Sequence, residues 1–140
     1  MATTRLPQGS CWRFRFLVCT ISLCVCTAAA GQPSDSLDAA RDVLQQYSAA
    51  LASLDADAVK KVQPSIDVEN LRRAFREMKT LEVVIDSIKL LSTDASITRV
   101  SCRVAQTLTP KAGARRATEV TRVVRLRRLD RGWVIDGFER

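Results

Sequence analysis

The chain has 140 residues, the size of one domain, with 46% hydrophobic and 26% charged residues, the balance of a globular protein rather than a disordered one. It carries 22 basic and 15 acidic side chains and no histidine. The missing imidazole removes the commonest general base and the commonest metal ligand together. No clustered Cys or Asp spacing compensates, so neither a metal nor a cofactor is expected.

The first thirty residues stand apart. Arg5, Arg13 and Arg15 precede an apolar run from Phe16 to Cys26, and Ala28-Ala29-Ala30-Gly31 follows, with no acid throughout. A basic start, a short apolar core and an Ala-x-Ala end predict a secretory signal peptide over 1–30, cleaved after Ala30. The run is shorter than the ~20 apolar residues a spanning helix needs, so no stable membrane anchor is expected. Val18, Leu23 and Val25 precede Cys19, Cys24 and Cys26 where a lipidation signal wants a small residue. The protein is therefore expected to be exported, periplasmic or secreted. Cleavage takes three arginines and four of the five cysteines, leaving 19 basic and 15 acidic groups, net +4, and the lone thiol of Cys102. One thiol makes no internal disulfide, and the single domain over 31–140 is long enough to bury a core without one.

Ser34 or Ser36 is placed to cap a first helix, with Asp35 and Asp38 at its positive end. Leu37, Ala40, Leu44, Tyr47, Leu51 and Leu54 then recur at steps of three and four, one apolar stripe that Val43 and Ala50 widen. Asp55 stops the pattern. Asp57 is the expected cap of a short second helix reaching Lys61, with Val59 and Val62 apolar, and Pro64 ends it. Ser65 or Asp67 opens a third, with Val68, Leu71, Phe75 and Met78 on one side and Arg72, Arg73, Arg76 and Lys79 solvated on the other.

After Thr80 the period changes to that of strands. Leu81 to Leu91 predicts a first strand with a bulge at Asp86-Ser87. Ile97 to Leu108 predicts a second, with Val100, Cys102 and Val104 on one face. Pro110-Lys111-Ala112-Gly113 links it to a third, Thr118 to Leu129, with Val120, Val124 and Leu126 on one side and Thr121, Val123, Arg125 and Arg127 on the other. Asp130-Arg131-Gly132 turns into a fourth, Trp133 to Phe138. Short links favour antiparallel neighbours, so the expected class is α+β: three N-terminal helices packed on a curved four-stranded antiparallel sheet.

The order of "LQQYSAALASLDADAVKKV" (44–62), "NLRRAF" (70–75) and the closing "RLRRLDRGWVIDGFER" (125–140) resembles the nuclear transport factor 2-like superfamily, which includes SnoaL-like polyketide cyclases and ketosteroid isomerases. "TPKAG" (109–113) resembles small exported or kinase-linked bacterial members. The resemblance covers about residues 36–140, and it implies a cone of helices over a bent sheet with a pocket between. It does not imply one reaction, since such folds host enzymes, transport adaptors and assembly domains. Tyr47 matches the first-helix tyrosine that ketosteroid isomerases use as an oxyanion donor. The carboxylate base those enzymes need would fall in "QPSIDVENLRRAF" (63–75), where Asp67 is available but reads as a helix cap.

The candidate ligand-binding residues are Tyr47, Phe75, Cys102 and Trp133. Cys102 has no histidine to activate it and reads as a small buried hydrophobe. The arginines from Arg115 to Arg131 form the densest basic stretch. Alternation divides them between two faces and no aromatic is interleaved among them, so no nucleic-acid partner is expected. The expected function is a non-catalytic exported domain that binds a small apolar ligand or pairs as a homodimer through its sheet. The alternative is a small isomerase- or cyclase-like enzyme using Tyr47 with an unidentified carboxylate. Tyr47 is expected to pack inward in either case.

Overall fold

A computed structural model describes residues 33–139. The leader expected over 1–30 lies outside the described residues. Three helices, α1 (Pro33–Ala52), α2 (Ala56–Val62) and α3 (Val68–Arg76), precede four strands, β1 (Met78–Thr93), β2 (Ile97–Pro110), β3 (Arg116–Leu129) and β4 (Gly132–Glu139). The strands form one antiparallel meander in chain order. This is the α+β arrangement that the change of period near Thr80 predicts.

The helix boundaries correct three expectations. Ser36 does not cap α1; it lies inside the helix, buried, where its hydroxyl accepts a hydrogen bond from Thr93 Oγ1 at 3.2 Å. Asp55, not Asp57, caps α2, accepting from the backbone N–H groups of Asp57 and Ala58 at 3.0 Å each. Asp57 is left free to take the Arg72 guanidinium at 2.6 Å. That contact holds its carboxyl below the usual carboxylate range. The third helix ends at Arg76, so Met78 begins β1 rather than extending the helical stripe. Asp67 does cap α3, accepting from Asn70 N–H at 3.1 Å.

Alpha-1 stops through its own backbone. Leu54 takes the left-handed conformation at φ 55°, its N–H bonds the Leu51 carbonyl at 3.0 Å, and Asp55 N–H bonds Ala50 at 3.3 Å. This is the paired-bond cap that usually employs glycine. A leucine there costs roughly 1–2 kcal/mol of backbone strain, which its side chain offsets by packing against Ala50, Leu51 and their neighbours. The chain thereby doubles back, and α2 and α3 close one end of the domain.

Two cores result. Ala40, Val43 and Leu44 of α1 meet Val100, Cys102 and Val104 of β2, Val124 and Leu126 of β3, and Ile135 of β4. Ala50, Leu51, Ala56, Val59, Phe75 and Leu81 form the second core beneath α2 and α3. Leu44, Leu126 and Ile135 are fully buried, each burial favouring the fold by roughly 1.5–3 kcal/mol. Tyr47 packs against both cores and marks their boundary.

The sheet bends at bulges. The register slips by one residue between Asp86 and Lys89, where Ser87 sits at φ 53°, and again between Leu90 and Ser92. The slip at Ser87 places the bulge where the broken apolar run predicts it. A further irregularity at Asp136 turns β4 against β3. Such insertions raise the local twist and curl the sheet around the helices. At the β3–β4 turn Gly132 has φ 127°, a region closed to side chains bearing a Cβ.

Candidate functional site

Alpha-1 crosses only part of the concave face. Beside Tyr47 inner side chains of β1, β2 and β3 border open space rather than a helix. They leave an open cleft of about 450 Å³, within the range of small-molecule sites. Ile85, Val104 and Val120 form its apolar floor, and Phe138 and Tyr47 form one wall. Their rings stand 5.7 Å apart at 43°, a tilted aromatic pair. Gln106, Thr118 and Arg122 complete the lining. Gln106 is opposite Thr118 in the β2–β3 register, and Arg122 is opposite Cys102, so the polar groups border the apolar floor.

Tyr47 is half-buried, and burial pushes its phenol above the ordinary value of 10.0. Its hydroxyl is therefore neutral at physiological pH and able to donate. Among the described residues it has no hydrogen-bond partner. The expected inward packing of the ring is present, and the hydroxyl belongs to the residue lining the cleft. Among the described residues no carboxylate lines the cleft. Asp67 is occupied as the α3 cap by Asn70 N–H and Asn70 Nδ2, the latter at 2.6 Å. Asp86, next in sequence to Ile85, points to the other face of the sheet, where Arg103 Nε and Nη2 each donate to it at 2.7 Å.

The other three candidate residues lie elsewhere. Phe75 is in the second core and borders a shallow hollow with Leu54, Arg72 and Arg76. Cys102 is buried in the first core, and burial, with Asp86 adding to it, raises its thiol above 9.0. Trp133 lines a separate groove with Val62, Pro64 and Leu129, and Arg128 lies 6.0 Å from its ring centre. Only Tyr47 of the four faces the cleft. Gln106, Thr118, Arg122 and Phe138 are the residues that the sequence did not single out. Their signal was there: Val120, Arg122, Val124 and Leu126 share one parity in β3, so Arg122 had to point inward.

The remaining arginines on the opposite face are matched with acids. Arg103 bridges Asp86 and Glu119, the latter at 3.4 Å, Arg99 pairs with Glu139, and Asp136 receives Arg125 at 2.7 Å and Arg127 at 3.3 Å. These cross-strand pairs tie all four strands together on a solvated surface. Within the basic stretch of the sequence, Arg115, Arg125 and Arg127 are paired with acids. Among the described residues no group of three or more His, Cys, Asp or Glu side chains is gathered to hold a metal, and no helix is long and apolar enough to cross a membrane.

The helices, the meander and the cleft between them can be set beside known proteins. A candidate aromatic ring hydroxylase from Novosphingobium aromaticivorans superposes with a TM-score of 0.67 at 16% identity, over 77% of this chain and 89% of that one. A candidate dehydratase of the nuclear transport factor 2-like family from Streptomyces avermitilis gives 0.64 at 10% identity, over 76% and 95%. This chain has the nuclear transport factor 2-like fold. A ketosteroid isomerase-like protein from Erwinia carotovora atroseptica gives 0.55 at 18% identity, over 74% and 93%. No protein-family profile matches the sequence, and no curated protein matches it. The likeness is one of backbone, and the residues that line this cleft define its chemistry.

Proposed function

We propose that the nuclear transport factor 2-like domain is an exported, non-catalytic module that binds a small apolar ligand in the cleft beyond Tyr47. The observation that carries this reading is the lining itself. An apolar floor and an aromatic wall are built, a hydrogen-bond donor is present, and among the described residues the lining holds no carboxylate of the kind that an isomerase would set beside that donor. Burial of a ligand's apolar surface there would supply the affinity, and the polar groups would fix its orientation. Export rests on the basic, acid-free leader, and N-terminal sequencing of the mature protein should begin at Gly31.

Binding is tested with phenylnaphthylamine, a neutral apolar dye that brightens on leaving water. The purified protein should take it up saturably. Val120→Trp, which adds bulk to an exposed position on the cleft floor, should suppress uptake without unfolding the domain. Undiminished uptake by that variant would place binding elsewhere and overturn the reading.

The enzyme alternative draws on one observation, the Tyr47 hydroxyl at the cleft, which has no partner among the described residues. An isomerase- or cyclase-type activity would need a base supplied from outside the described lining. Turnover of an enolisable ketone that vanishes in Tyr47→Phe would establish it in place of the binding reading.

A further inference from the structure

We propose that the ligand of the cleft is a small apolar acid, its anionic group held at the rim by Arg122. This rests on the ligand-binding reading above and assigns the chemical class of the ligand.

Arg122 differs from the arginines on the outer face of the strands. Arg99, Arg103, Arg125 and Arg127 point to the opposite face and each has a carboxylate partner there. Arg122 points to the concave face, and among the described residues no acid lies within ion-pair distance of it. Its inner-face neighbours along β3 are Val120 and Val124, and Cys102 is opposite on β2. On its other side the described β3–β4 register begins at the pair Val123 and Glu139. Among the described residues the guanidinium therefore has no anionic partner, and it borders an apolar floor, with the side chains of Gln106 and Thr118 on the same rim.

A guanidinium presents paired N–H donors in a planar fork that suits a carboxylate or similar anion. An apolar body on Ile85, Val104, Val120 and Phe138 with an acid group at Arg122 satisfies both halves of the cleft. A neutral apolar ligand would satisfy only one half. An inward charge near an unpaired strand segment can also serve to deter edge-to-edge association. That role would require solubility from Arg122 and no preference for anions, so it is separable by experiment.

The test compares phenylnaphthylamine with anilinonaphthalene sulfonate, which shares its aromatic scaffold and adds one negative charge. The wild type should bind the sulfonate at least roughly tenfold more tightly, and the preference should shrink as salt screens the rim charge. Arg122→Gln should reduce the preference to within about twofold, whereas Arg125→Gln on the opposite face should keep it. Val120→Glu, which sets a carboxylate beside Arg122, should abolish it as well. Binding of both dyes with no preference, or a preference that survives Arg122→Gln, overturns the anionic assignment while leaving the cleft as a binding site. Loss of solubility in Arg122→Gln with the preference intact overturns it in favour of edge protection. Failure of both dyes to bind overturns the cleft reading itself.

Discussion

The concave face of the sheet has two ends that share strands, alternation and composition, yet one is a core and the other a cleft. Under α1, Val100, Val124, Leu126 and Ile135 are wholly buried. Beside Tyr47, on the same face of the same strands, Val120 is 42% exposed and Phe138 36%. Nothing in strand periodicity distinguishes the two. The difference is what lies above them: α1 covers the first, and the second borders open space. A side chain's parity decides which face it takes; the path of another element decides whether that face is sealed.

The sharpest way to break this contrast is to remove volume at each end. Leu44→Ala leaves a hole under α1 with fixed walls and should cost ~2–5 kcal/mol. Val120→Ala removes atoms already in contact with solvent and should change stability by less than about 0.5 kcal/mol. Urea unfolding of the two variants measures both values. Equal losses would mean that the cleft is closed in solution and that the two ends are one core.

Cys102 tests the seam between the ends, because it is buried in the first core yet paired in register with Arg122. Cys102→Ser replaces a weakly polar thiol with a hydroxyl that needs a partner, and should cost ~1–2 kcal/mol. A thiol reagent should label the wild type slowly when folded and rapidly in denaturant. Labelling at the denatured rate under native conditions would count against burial.

The two ends differ also in how plainly the sequence announced them. The core end was legible because Leu37, Ala40, Leu44 and Tyr47 repeat with the helical period and Val100, Cys102 and Val104 with the strand period. Two periods that converge on apolar residues fix both elements and their facing sides. The bulge at Asp86-Ser87 was legible for the same reason, as a break in parity. The α2 cap was not, since Asp55 and Asp57 are equally good cap residues and only the left-handed turn at Leu54 selects the first. Most of the cleft stayed unread because it is assembled from single residues on separate strands. Gln106 and Thr118 meet only through the β2–β3 register, and Phe138 reaches Tyr47 only after β4 is laid beside β3. Phe75 and Trp133 were reasonable aromatic candidates, and it is the doubling back of α2 and α3 that assigns them to other places.

Alkaline titration gives a smaller effect that draws on both ends. Burial raises the Cys102 thiol above 9.0 and the Tyr47 phenol above 10.0. A group whose folded pKa is raised contributes stability in full below its unfolded value and loses it as pH climbs toward the folded one. Stability should therefore hold near neutrality and decline from about pH 9 upward, first through Cys102 and then through Tyr47. Chemical denaturation at stepped pH would show it. Cys102→Ala should delay the onset, and an alkaline limb unchanged in both Cys102→Ala and Tyr47→Phe would assign the decline to other groups.

The smallest expected change in stability belongs to Tyr47→Phe, and it discriminates most finely. The ring packs against both cores and stacks beside Phe138, and phenylalanine keeps those contacts. The hydroxyl has no partner among the described residues, so its removal breaks no protein hydrogen bond there. A hydroxyl satisfied inside a plain core would take ~1 kcal/mol with it when lost. A hydroxyl that serves the cleft should leave unfolding nearly unchanged, by less than about 0.5 kcal/mol, while weakening ligands that offer it an acceptor. Thermal melts and dye titrations of the same variant measure the two quantities together. A loss near 1 kcal/mol with unaltered binding would make Tyr47 a packing residue whose hydroxyl finds its partner within the protein. Unchanged stability with weakened binding would make it the polar end of an otherwise apolar wall, as its place in the cleft lining beside Phe138 implies.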